Sequence, residues 1–199
     1  MGGAADSPGE HAAAVVELVR ALATPPWPRT AADAERMLAA LGVHPTGGVD
    51  AWSPSSAQHA LTGGPDAVDH LSYGVRADRV TDVGFFLARH GGPRDPLVRR
   101  DHDALVAAIA AVFGAPRAAF DDQPSPVRWD VGELQVGVQL FDRVDSSVMV
   151  DVHHRGLSAE AEAAAEVVRV GGSRIRPVTD VRGARPGRAT AGRRGRAAG

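Results

Sequence analysis

The chain has 199 residues, 44% hydrophobic and 23% charged, values ordinary for a globular domain that can bury a core. It contains no cysteine, lysine or asparagine, which excludes disulfides, thiolate metal sites, the lysine of a Walker A loop and Schiff-base chemistry. The net charge of −2 conceals an acidic body, 14 arginines against 23 acids in residues 1–170, and a basic end with eight arginines and Asp180 alone from Gly171 onward.

Isoleucine occurs only at Ile109 and Ile175, and a GC-rich genome accounts for this bias without a functional cause. No apolar run approaches the ~18 residues that span a bilayer. The opening "MGGAADSPGE" lacks the basic and apolar regions of a signal peptide. The expectation is a cytoplasmic protein.

In "SPGE", Ser7 is placed to cap a first helix, with Pro8 at its first position and Glu10 three residues after the cap. Val15, Leu18, Val19 and Leu22 recur at helical spacing, and "TPPWP" (Thr24–Pro28) stops the helix. Thr30, followed three residues later by Asp33, opens a second helix. Ala34, Met37, Leu38 and Leu41 form its apolar face, and Gly42 closes it. Trp27, between the two, is expected to wedge into the core. Residues 43–66 are rich in Gly, Pro, Ser and Thr and read as a long loop, with a short strand near Val49–Trp52 as the one regular feature.

The period then changes. Leu71, Tyr73 and Val75 alternate with His70, Ser72 and Gly74; Val83, Phe85 and Leu87 alternate in the next segment, with Ala77-Asp78 as the hairpin turn between them. A third helix is expected in "DHDALVAAIAAVFGAP", capped by Asp101, with Leu105, Ile109, Val112 and Phe113 facing inward and Gly114 with Pro116 ending it. After "DDQPSP" three strands alternate: Val127, Trp129, Val131; Leu134, Val136, Val138, Leu140; and Val148, Val150, Val152. Ser158 is placed to cap a last helix that Gly171-Gly172 closes.

The order α-α-β-β-α-β-β-β-α, with one face of each strand apolar, predicts an α+β two-layer sandwich, a mostly antiparallel sheet with helices on one face. A single domain over residues 7–170 is expected, followed by a disordered Arg/Gly/Ala-rich tail at 171–199. The β-β-α and β-β-β-α halves hint at a loose duplication.

The segments "WPRTAADAERMLAALG", "RVTDV", "FGAP" and "VRWDVGELQVGVQLFDRVDSSVMVDV" resemble an actinobacterial domain-of-unknown-function family of small cytosolic α+β proteins. The resemblance covers roughly residues 14–168. It rests on caps, core aromatics and turns, so it carries no catalytic residue. It implies the setting such domains keep, that of immunity or accessory proteins beside toxin-secretion systems.

The segment "VMVDVHHRG" holds the most conspicuous candidate chemistry. Alternation places Asp151, His153 and Arg155 on one side of a strand, so Asp151 and His153 could form an acid–base pair or share a metal, for which His70 is the one third ligand to suggest itself. The opposing reading is that polar residues keep an uncovered sheet face wet. That face collects Arg128, Asp130, Gln135, Gln139, Asp151 and His153, a candidate partner-binding surface. "WSPSSAQHALTGG" sets serines near His59 but lacks a hydrolase elbow, and the arginines of "RHGGPRDPLVRRDHD" (Arg89, Arg94, Arg99, Arg100, with His90) are interleaved with acids. The basic tail could meet nucleic acid electrostatically but has no aromatic for stacking. The reading is therefore a non-enzymatic domain without catalytic, cofactor or metal residues. It binds another protein, a toxin or secreted substrate, by masking a basic surface with an acidic one. The alternatives are a metal-dependent or acid–base enzyme centred on Asp151 and His153, and nucleic-acid association through the tail.

Overall fold

In a computed structural model, residues 8–53, 56–119, 125–160 and 163 are described. Two helices come first, α1 (Pro8–Leu22) and α2 (Ala31–Ala39). Val15, Leu18, Val19 and Leu22 of α1 are all buried, as their spacing predicts; Ser7, the expected cap, lies outside the described residues. Helix α2 starts at a capping box in which the Thr30 hydroxyl accepts the Asp33 N–H and the Asp33 carboxylate accepts the Thr30 N–H. Beyond its end Gly42 takes a left-handed φ of 74°, which a side chain would disfavour. Trp27 packs against the core, and its Nε1–H donates to the Val80 carbonyl at 2.9 Å.

Eight strands follow: β1 (Val43–Ser53), β2 (Ser56–Gly63), β3 (Val68–Arg76), β4 (Arg79–Leu87), β5 (Ala118–Ala119), β6 (Ser125–Val131), β7 (Leu134–Phe141) and β8 (Ser147–His154), with α3 (Pro96–Phe113) between β4 and β5. They form one antiparallel sheet in the order β1-β2-β3-β4-β8-β7-β6-β5. Two four-strand meanders are thus joined through their last strands.

Several expectations are corrected here. The segment 43–66 is not a long loop but mostly the hairpin β1–β2, paired from Val43↔Gly63 to Ser53↔Ser56. Of its eleven residues β1 buries only Val43, so the alternation that reveals a half-buried strand has nothing to act on. Helix α3 is capped by Asp95, whose carboxylate accepts the Leu97 and Val98 N–H groups. Pro96 fits the first position, so Asp101 lies inside the helix. Val112 is 45% exposed rather than inward, and Phe113 is only partly buried. The final helix begins at residue 155, ahead of Ser158; the tail 171–199 lies outside the described residues.

The core explains why these segments are strands. Tyr73, Val83, Val152, Val136 and Trp129 are successive ladder partners across β3, β4, β8, β7 and β6, and each is at most 1% exposed. Phe85, Val150, Val138 and Val127 form the adjoining row. Side chains of this size contribute roughly 1.5–3 kcal/mol each when buried. Against these rows pack Leu22, Leu38, Leu105 and Ile109 from the helices, in one cluster. The β3–β4 turn is Ala77-Asp78, with φ values of 47° and 61°, left-handed at both positions as a two-residue type I′ connection requires. The architecture is the expected α+β arrangement, with α1, α2 and α3 packed against one face of the sheet.

Candidate functional site on the open face of the sheet

The second face is read most simply along its ladders. One row runs Gln58 (β2), Gly74 (β3), Asp82 (β4), His153 (β8), Gln135 (β7), Asp130 (β6). The next runs Ser72, Gly84, Asp151, Gly137, Arg128 over β3 to β6. A third holds Phe86, Met149 and Gln139. All six residues of the expected partner-binding surface, Arg128, Asp130, Gln135, Gln139, Asp151 and His153, therefore share one face of three adjoining strands.

They do not play equal parts. Gln135 is only 8% exposed, and its amide donates to Asp130 Oδ1 at 2.8 Å. Asp130 also accepts from Arg117 at 2.8 Å and lies 3.6 Å from Arg155. The Gln135 hydrogen bond is the largest influence on its carboxyl, and with the two guanidinium groups it outweighs desolvation and holds the group below the usual aspartate range. This end of the face is a closed network. Asp151 and His153 differ: Nδ1 of His153 lies 2.8 Å from Oδ2 of Asp151, both half-buried.

Sequence reasoning missed Asp82, which stands directly across the ladder from His153. Burial is the main cause that pushes its carboxyl above the ordinary value. The Asp151 charge adds to this, while the Thr81 hydroxyl bond at 2.6 Å, His153 and Arg76 oppose it. The two aspartates lie over glycines: a Cβ at Gly74 would overlap the Asp82 carboxylate, and one at Gly137 would overlap that of Asp151. Glycine inside a strand marks close approach of another group, and three glycines, at 74, 84 and 137, fall at outward positions of otherwise alternating strands. That pattern was the available signal. What no pattern gives is the β4–β8 pairing that sets Asp82 beside Asp151 and His153.

The remaining candidates disperse. His70 does not approach Asp151 or His153; it stands with Asp69 (3.5 Å), His90 and Phe86, at a left-handed φ of 48°. Among the described residues no group of three His, Asp or Glu side chains is arranged to hold a metal ion. His59 stacks on Tyr73 with 4.6 Å between ring centroids. Arg89 and Arg99 pair with Asp101 and Asp142. The short strand expected near Val49–Trp52 falls within the outer strand β1, where Val49 is 52% and Trp52 70% exposed. A concavity of about 350 Å³ opens beside Asp50, Gln58, Asp69 and Ser72 on the same face as Asp82.

No described helix is long and apolar enough to cross a membrane. Compared with known proteins, residues 13–154 match a family described as a family of unknown function (DUF6301). The match ends at the last residue of β8, short of the 168 to which the resemblance in the sequence extended. No curated protein and no solved structure matches the chain.

Proposed function

The chain belongs to the DUF6301 family of unknown function, so its own geometry must carry any functional reading, and we propose that it is a protein-binding domain. The observation that carries this is the polar sheet face opposite the core formed with α1, α2 and α3, with Asp50, Asp69, Asp82 and Asp151 spread over β1, β3, β4 and β8. Such a face suits a basic segment of a partner protein, whose guanidinium or ammonium groups meet the Asp50, Asp69 and Asp151 carboxylates and draw the Asp82 carboxyl towards its charged form. Trp52, exposed on the edge hairpin, adds the kind of aromatic anchor on which interfaces concentrate their affinity. The acidic body, 23 acids against 14 arginines, favours the same sign of partner through long-range steering. The role we propose is that of an immunity or accessory protein that masks a basic surface of a toxin or secreted substrate.

The test is capture by the immobilised full chain of the proteins encoded beside its gene. The expected result is a partner held at micromolar concentration by the native chain and released at least tenfold more readily by Asp82→Asn/Asp151→Asn. No capture, or capture indifferent to both substitutions and to salt, overturns the reading.

One observation favours a second reading. The carboxylate–imidazole pair Asp151–His153, with a second carboxyl shifted towards its neutral form opposite it, is an arrangement suited to proton transfer. It would be supported by a reaction abolished by His153→Ala and retained by Gln135→Ala, and sunk if both variants behaved alike.

A further inference from the structure

A second concavity lies on the opposite side of the sheet, where α1, α3 and the end of the β3–β4 pair meet. Its volume is about 260 Å³. The walls are apolar, formed by Val15, Ala67, Leu87 and Leu105, and all four are buried residues of the core. Three charged side chains stand at the rim: Asp66, Arg89 and Asp101. The Arg89 Nε–H donates to Asp101 Oδ2 at 2.6 Å, so these two neutralise each other. Asp66 has no ion pair or side-chain hydrogen bond among the described residues, so the rim keeps one net negative charge beside an apolar chamber.

A dry cavity of about 150 Å³ already accommodates benzene, and drug-sized ligands begin at roughly 300 Å³. The present volume falls between these, which suits one ring with a short arm. We propose that this cavity binds a small primary amine with an apolar body, of arylalkylamine size. The body lies against Val15, Ala67, Leu87 and Leu105, and the ammonium group meets the Asp66 carboxylate. An anionic ligand of the same shape would face two carboxylates for one guanidinium already engaged, and a neutral one would leave Asp66 as it is. This site shares no residue with the open sheet face, so it stands or falls independently of the partner-binding reading.

The experiment titrates the full chain with 2-phenylethylamine, 2-phenylethanol and phenylacetate, following the methyl resonances of Val15, Leu87 and Leu105. The amine is expected to bind and shift these methyls, with the alcohol weaker by about tenfold, the difference a charge-assisted contact supplies, and phenylacetate weaker still. Asp66→Asn should bring the amine down to the alcohol's affinity. Ala12→Leu on α1 and Ala88→Leu just past the end of β4, both lining positions, should each abolish binding while circular dichroism shows the fold retained. If either variant fails to fold, the other and Asp66→Asn decide. No shift with any probe at millimolar concentration overturns the proposal. Equal binding of all three probes does so too, as does preferential binding of phenylacetate, which would give the site to Arg89.

Discussion

Asp151 lies directly across the β7–β8 ladder from Gly137, and its carboxylate occupies the volume a side chain at 137 would need. Only glycine at 137 lets the carboxylate lie along the sheet and stay within 2.8 Å of His153. Gly137→Ala should therefore push the Asp151 carboxylate outward and break that hydrogen bond, at a cost of about 1 kcal/mol in urea unfolding. The same alanine introduced beside Asp151→Ala should cost much less. A double-mutant cycle measures the difference; strict additivity would show that the glycine serves the strand and not the carboxylate.

Asp82 gives a pH dependence of unusual sign for an aspartate. Its folded-state value is raised above the ordinary 3.8, chiefly by burial, so the charged form is the one the fold disfavours. The stability this group contributes is complete below 3.8 and is lost as pH rises through the raised folded value. Asp82→Asn, which keeps an acceptor for the Thr81 hydroxyl, should melt higher than the native chain at neutral pH. The gain should fade as pH falls towards 3.8. A lower melting temperature for the variant at neutral pH would mean that His153 and Arg76 outweigh burial.

The same chemistry explains what could be read in advance. Strands with a core face announce themselves: Tyr73, Val83, Trp129, Val136 and Val152 were assigned from period-two spacing alone, and the ladders align them in one buried row. Of the hairpin β1–β2 only the short strand near Val49–Trp52 is legible in the sequence, because an edge buries little and the rest has the composition of a loop. The cap of α3 was misplaced because Asp101 and Asp95 carry the same chemical signature, and only Pro96 separates them. The site was half legible. Outward positions on neighbouring strands could be grouped, but the pairing of β4 with β8 joins residues 63 to 71 positions apart and leaves no local trace.

Helix α2 depends on a reciprocal pair at its start. The Thr30 hydroxyl accepts the Asp33 N–H at 3.2 Å, and the Asp33 carboxylate accepts both the Thr30 N–H and its hydroxyl. These hydrogen bonds, the Thr30 side chain's foremost, hold the Asp33 carboxyl below the usual range. Thr30→Ala should cost about 1 kcal/mol in chemical unfolding, whereas Thr30→Ser, which keeps the oxygen, should stay close to native. Because Ala34 and Leu38 of α2 are fully buried, the loss should appear in the global transition and not as fraying of one helix.

Gly63 and Gly132 are both left-handed, with φ of 92° and 61°, yet they should respond differently to alanine. A Cβ at 63 would run into the backbone carbonyl of Gly42, where the end of α2 meets the end of β2, and that carbonyl also accepts the Gly64 N–H at 3.2 Å. Backbone cannot swing aside as a side-chain tip can, so strain and overlap combine. Gly63→Ala should cost about 3 kcal/mol and loosen the junction between α2 and the hairpin. A Cβ at 132 meets nothing within 4 Å, leaving only the left-handed penalty, so Gly132→Ala should cost about 1 kcal/mol. Asparagine, which tolerates that conformation, should recover most of the loss at 132 and little at 63. Equal penalties at the two positions in parallel urea titrations would show that conformation alone, and not the contact with Gly42, governs Gly63.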